Sequence, residues 1–217
     1  MLKIISLLGL FAFCCQSWAA KFEMKDLGQR NLVLVNSEAL VERTVAVSHF
    51  VTGWMELSPE NVETLAGEFE LDVRTLETGL ELKNMQIRDQ LLSSSEFPVA
   101  KISFNTPVSG QKPKLTDGKP FTSKIDANLQ IKNVTKTIPI QIKLVYFKEN
   151  EESRQRLTGN LLKFSAQVEI ELSSFGIVIP SKYSAVIAKT VQVSADLVGT
   201  DRLPNNALSL PEGIKKK

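Results

Sequence analysis

From residue 124 onward the chain alternates apolar and polar side chains with a period of two. Ile125, Ala127, Leu129 and Ile131 alternate with Lys124, Asp126, Asn128, Gln130 and Lys132. After residues 133–136 the pattern resumes with Ile138, Ile140, Ile142, Leu144 and Tyr146. Successive side chains of a strand point to opposite faces, so these runs read as two strands, each with one dry and one wet side. Their connection is a short turn in which Asn133 supplies a positive φ. The alternation returns at Leu162, Phe164, Ala166, Val168, Ile170 and Leu172, and again at Val191, Val193, Ala195 and Leu197. Shorter versions occur at Phe69, Leu71 and Val73, at Ile102 and Phe104, and at Val45 and Val47. With one or two strands in residues 22–35, the count reaches about eight.

Half-buried antiparallel strands in that number close into a barrel or stack as a sandwich. The runs 124–132, 137–147 and 161–172 are long against an average strand of roughly five to six residues, which favours the barrel. An outer-membrane barrel also alternates, but it needs aromatic girdles at both rims. Two tyrosines and two tryptophans, one of them Trp18, are too few to build them.

One stretch interrupts the strand pattern. Between Thr78-Gly79 and Phe97-Pro98 the chain is amphipathic and helix-friendly, which predicts a short helical crossing over about residues 80–95 at one end of the barrel. Pro98 fixes its own φ and starts the following strand. Arg88 and Asp89 read as a local ion pair or cap for this crossing. Leu80, Met85, Ile87, Leu91 and Leu92 are expected to face the core or the entrance to the barrel.

The first 19 residues stand apart. Met1–Lys3 is a short basic region, Ile4–Cys15 an apolar run, and Ser17-Trp18-Ala19 places small residues where a signal peptidase cuts. The reading is a secretory signal peptide at 1–19, a barrel domain at 20–200 and a flexible Lys-rich tail at 201–217, in a periplasmic or secreted protein. Cys14 and Cys15 are the only cysteines, so a chain cut after Ala19 has no disulfide and depends on its core. The 26 basic residues against 24 acidic ones give +2, and loss of Lys3 leaves a near-neutral protein. That balance argues against nucleic acid as a partner. No later segment is long and apolar enough to span a bilayer as a helix.

Four segments in order carry a family resemblance: "LDVRTLETG" (71–79), "IRDQLLSSSEFPVAKISF" (87–104), "ANLQIKNVTKTIPIQIKL" (127–144) and "FSAQVEIELSSFGI" (164–177). Together they resemble the YceI-like family of lipocalin-like, polyisoprenoid-binding proteins, over about residues 22–200. Thr78, Gly79, Arg88, Asp89, Phe97, Pro98, Lys132, Thr135, Lys136, Phe175 and Gly176 fit the family pattern. Ser174 stands where an Asp is usual, Leu172 near a usual Arg, and Asn128 and Asn133 in place of glycines. The resemblance implies an all-β fold, an extended eight-stranded antiparallel barrel with an apolar tunnel for a long isoprenoid or other amphiphilic chain.

The inward set is mostly Ile, Val, Leu and Ala, which leaves room for a cavity. Its expected lining is Phe69, Leu71, Ile102 and Phe104 from the earlier strands, and Leu129, Ile131, Ile140 and Ile142 from the hairpin. Phe164, Val168 and Phe175, with the five residues of the crossing, complete it. No cofactor or metal is called for; a bound lipid or isoprenoid is the non-protein component expected. His49 is the single histidine, and one His without cysteine does not make a usual zinc site. Three readings stay open: an exported carrier for a polyisoprenoid, isoprenoid quinone or fatty amide; an enzyme on such a lipid with His49 or a buried carboxylate as acid/base; and a filled barrel acting through its surface. Pairing as a homodimer stays open too.

Overall fold

The computed structural model describes residues 19–202, except 26, 27, 29, 109–112 and 156. The expected leader and tail therefore lie outside the described residues, apart from Ala19, Asp201 and Arg202. The fold is β1 (Ala20–Glu23), β2 (Leu32–Glu38), β3 (Arg43–Ser48), β4 (Val51–Leu57), β5 (Thr64–Asp72), β6 (Val99–Pro107), β7 (Pro120–Ile131), β8 (Val134–Phe147), β9 (Leu161–Glu171) and β10 (Thr190–Thr200). All pairs are antiparallel. The ring runs β1-β4-β5-β6-β7-β8-β9-β10 and closes where Glu23 of β1 meets Thr200 of β10. This is the eight-stranded antiparallel barrel expected from the alternation.

The two additional strands come from breaks in the first two staves. β1 and β2 lie one after the other along the same edge of β10, Glu23 opposite Thr200 and Leu32 opposite Asp196. β3 and β4 are separated only by His49 and Phe50. The seam is held by Asn31, which is 1% exposed. Its side-chain amide donates to the Met24 carbonyl at 3.0 Å and accepts from the Val198 backbone N–H at 2.9 Å. Its own carbonyl lies 3.0 Å from His49 Nδ1. A buried side chain thus replaces ladder bonds where the strand is interrupted, as the cost of an unpaired buried amide demands.

The hairpin of β7 and β8 has a tighter turn than the sequence pattern indicated. Ile131 pairs with Val134, leaving a two-residue loop, and the positive φ (56°) falls on Lys132 rather than Asn133. Val134–Lys136 belong to β8. Thr135 and Thr137 are exposed on the outward face, and the exposed Lys136 interrupts the inward set between Val134 and Ile138.

The barrel is filled at one end and hollow toward the other. At the filled end large side chains point inward: Phe22, Met24, Met55, Leu57, Leu144 and Leu162 are at most 1% exposed. Phe22 packs edge-on against Tyr146, with ring centroids 6.2 Å apart. Burying such side chains contributes roughly 1.5–3 kcal/mol each. Midway, Phe69 and Phe164 stack at 5.0 Å with 14° between planes, and Phe104 joins Phe164 at 6.3 Å. Gly67 makes room for that ring, since a Cβ there would sit 2.8 Å from Phe104 Cζ.

Candidate functional site

Above this aromatic floor the inward residues become small. On β9 the sequence of inward side chains is Leu162, Phe164, Ala166, Val168, Ile170, and on β10 Ala195 is paired with Ala166. Ala46 on β3 and Ala100 on β6 face the same space. Where alanine replaces a larger inward residue, neighbouring backbones held by the ladder do not collapse, and a void remains. The result is a cavity of about 240 Å³ lined almost wholly by aliphatic and aromatic groups. Its polar residues include Ser37, Glu42 and Thr44 from the β2–β3 hairpin and Lys83 and Gln86 from the crossing.

The crossing consists of α1 (Glu81–Met85) and a π-helical turn (Gln86–Leu91). Two features fix it over the barrel end. After β5, Glu77 makes an isolated antiparallel bridge to Val47, extending the wall beyond the last ladder pair. Asn84, 2% exposed, then accepts from the Thr78 N–H at 2.8 Å and donates to Glu77 Oε2 at 2.6 Å. Arg88 donates to the Leu76 carbonyl at 2.8 Å and pairs with Glu77. Arg88 and Asp89 are therefore not bonded to each other: Asp89 accepts from the Ser94 hydroxyl at 3.3 Å. A short helical segment points adjacent side chains about 100° apart, so neighbours in sequence find different partners. Lys83 turns toward the opening, where it pairs with Glu42 and donates to Thr44 Oγ1 at 3.3 Å.

Of the residues expected to line the cavity, Phe69, Leu71, Ile87, Leu91, Leu92, Ile102, Leu129, Ile131, Ile140, Phe164 and Val168 do so. Phe104 and Ile142 do not: Phe104, 5% exposed, belongs to the aromatic floor, and Ile142, 1% exposed and paired with Ala166, is packed into the core. Phe175 is 2% exposed and packs in a second apolar cluster at the barrel end, in a 3₁₀ turn closed by Gly176 at φ 69°. Leu80 and Met85 point outward, 58% and 42% exposed, because the inward positions of α1 and its continuation are taken by Lys83, Gln86 and Ile87. The alternation identifies a face, and a face contains both filled and hollow levels. Asn31 and Asn84 were not singled out from the sequence; asparagine is a common loop residue, and nothing local marks one as buried.

His49 is exposed, at the break between β3 and β4, and its ring nitrogen is engaged with Asn31. It does not line the cavity. The buried polar residues among those described are Asn31, Ser48, Asn84, Ser94 and Thr200, with no carboxylate in the set. Among the described residues, no three His, Cys, Asp or Glu side chains converge as a metal site. No described helix is long and apolar enough to cross a membrane.

The YceI-like domain family model matches residues 31–199. The fold resembles a polyisoprenoid binding domain from Saccharophagus degradans implicated in plant cell wall breakdown, with TM-score 0.61 and 16% identity over 84% of this chain and 99% of that one. BcnA of Burkholderia cenocepacia is similar at TM-score 0.61 and 16% identity, covering 81% and 99%. A Campylobacter jejuni YceI protein gives TM-score 0.53 and 11% identity over 68% and 79%. At these identities the likeness is one of fold. No curated protein matches the chain in sequence.

Proposed function

The chain belongs to the YceI-like domain family, and on that footing we propose that it is an exported carrier that holds one apolar chain, of the polyisoprenoid, isoprenoid quinone or fatty amide class, in its barrel. The observation that carries this is the cavity itself, with an aliphatic and aromatic wall, an aromatic floor and polar groups in the hairpin and crossing. The polyisoprenoid binding domain of similar fold supports the ligand class. At roughly 30 Å³ per water-sized group, 240 Å³ takes about eight methylene-sized groups. Each contributes about 0.8 kcal/mol when transferred from water, so the gross driving force is about 6 kcal/mol, from which the cost of association is subtracted. Affinity then follows the length of chain buried, and Lys83, Glu42, Thr44 and Gln86 meet whatever polar group remains at the opening.

Binding is favoured over catalysis because the one histidine is engaged outside the cavity, and the cavity's carboxylate, Glu42, is paired with Lys83. The test is native mass spectrometry of protein purified from its own cells, followed by organic extraction. A co-purifying lipid of stoichiometric amount is expected. A protein that carries none, and takes up no added isoprenoid or fatty chain, would remove the carrier reading.

A further inference from the structure

The crossing is turned the opposite way from a helix that faces only water. Lys83 points to the opening, its side chain 23% exposed, whereas Leu82 beside it is 73% exposed and Met85 is 42% exposed. The tip of the β2–β3 hairpin repeats the arrangement, with Leu40 at 90% and Val41 at 72%. So does the segment after the 3₁₀ turn, where Ile177 lines the cavity and Val178 is 79% exposed. These three segments are joined: Lys83 pairs with Glu42, the Val41 N–H donates to the Ala185 carbonyl at 3.1 Å, and the Ala188 N–H donates to Ser37 Oγ at 3.0 Å. With Leu80, they carry six of the nine exposed large apolar side chains among the described residues, which places most of that surface around one end of the barrel. Residues 176–189 contain Lys182, Tyr183 and Lys189 and no acid, and Lys182 Nζ lies 4.7 Å from the Tyr183 ring.

We propose that this rim is a membrane-docking surface that seats the open end of the barrel on a phospholipid bilayer containing anionic head groups. Aliphatic side chains enter the acyl boundary, while tyrosine and lysine belong at the head-group level. A second copy of this chain is the competing occupant. Isologous pairing sets a patch against itself, and with residues 176–189 at the two-fold axis would bring Lys182 and Lys189 toward their own image, the exposed acids Glu38 and Glu81 lying on the other two segments. A bilayer offers the opposite charge instead. The inference rests on the carrier reading in one respect: a chain longer than about eight groups does not fit in the cavity, and its remainder needs an apolar surrounding at the opening.

The test is flotation of the purified protein with empty vesicles of phosphatidylcholine, with and without phosphatidylglycerol. The wild type is expected to float with the mixed vesicles, less with phosphatidylcholine alone, and less at raised salt. The combined change Leu40→Ser, Leu82→Ser and Val178→Ser alters exposed side chains only and is expected to lower partitioning about tenfold or more. Lys182→Glu with Lys189→Glu should abolish the preference for phosphatidylglycerol. Equal flotation of the triple variant and the wild type would overturn the proposal. So would light scattering that shows a dimer dispersed by the triple change while flotation is unaltered. Uptake of a dispersed fluorescent polyene fatty acid separates the two readings. Uptake without flotation removes the docking surface and leaves the carrier; flotation without uptake keeps the docking surface and removes the carrier.

Discussion

Replacing Ala166 by Phe places a ring in the cavity without disturbing the filled end of the barrel. Ala166 sits on β9 between Ile142 on β8 and Ala195 on β10, one inward step above Phe164 of the floor. A cavity of about 150 Å³ accepts benzene, so at roughly 30 Å³ per group a phenyl ring occupies about five of the eight methylene-sized places in this one. Losing them removes about 4 kcal/mol of transfer free energy, or about a thousandfold loss of affinity for a chain that reaches the floor. Stability should change little, because the ring fills space that is empty and the overpacking cost of 1–3 kcal/mol applies to sites already filled. The assay is titration with a fluorescent polyene fatty acid, alongside a urea denaturation curve. Ala195→Phe, across the ladder from it, should have the same effect, and the double change should be less than additive because both rings compete for one space. An Ala166→Phe protein with a native denaturation curve and unchanged titration would refute the argument, since it would put the bound chain somewhere other than above the Phe69–Phe164 pair.

Three further outcomes test the frame around the cavity. Gly53→Ala builds a Cβ into the Glu68 carbonyl oxygen, which belongs to the β4–β5 ladder, so the urea midpoint should fall by the equivalent of about 3 kcal/mol or more. Arg88→Ala removes the donor to the Leu76 carbonyl and the partner of Glu77; it should raise hydrogen exchange in residues 81–91 and cost about 1–3 kcal/mol, while the β7–β8 ladder stays protected. Asp72 is held below the usual aspartate range chiefly by its bond to Arg74, whose Nη2 donates to Oδ2 at 2.7 Å, with the Arg74 N–H adding to the effect. A lowered folded-state pKa means stability that is complete above about pH 4 and lost as pH falls through the folded value. The wild-type urea midpoint should therefore decline more steeply below pH 4 than that of Asp72→Asn; equal slopes would show that this pair contributes nothing to folding.

How far the fold could be read from the chain depends on which interactions are local. The β7, β8, β9 and β10 strands were legible because their neighbours on both sides bury one face only, so sequence period and burial coincide: Ile125, Ala127, Leu129 and Ile131 are all at most 8% exposed. The breaks in the first two staves were not legible, because what keeps them in one wall is a long-range contact, Asn31 to Val198, 167 residues away. The crossing was located but oriented only in part: Ile87, Leu91 and Leu92 line the cavity as expected. Leu80 and Met85 were expected inward as well, yet Lys83 finds its counter-charge in Glu42, 41 residues away, and these two are turned out together with Leu82. Local pattern assigns apolar residues to the interior because water is assumed to be the only exterior, and here the lysine's counter-charge lies across the opening. The cavity has the same logic in reverse. Four alanines line it, Ala46, Ala100, Ala166 and Ala195, of which only the last two are ladder partners. An alanine in an alternating strand reads simply as apolar. Whether it packs or leaves a void is decided by the residue across the barrel, so a count of inward volume by level distinguishes the floor from the space above it, and period alone does not.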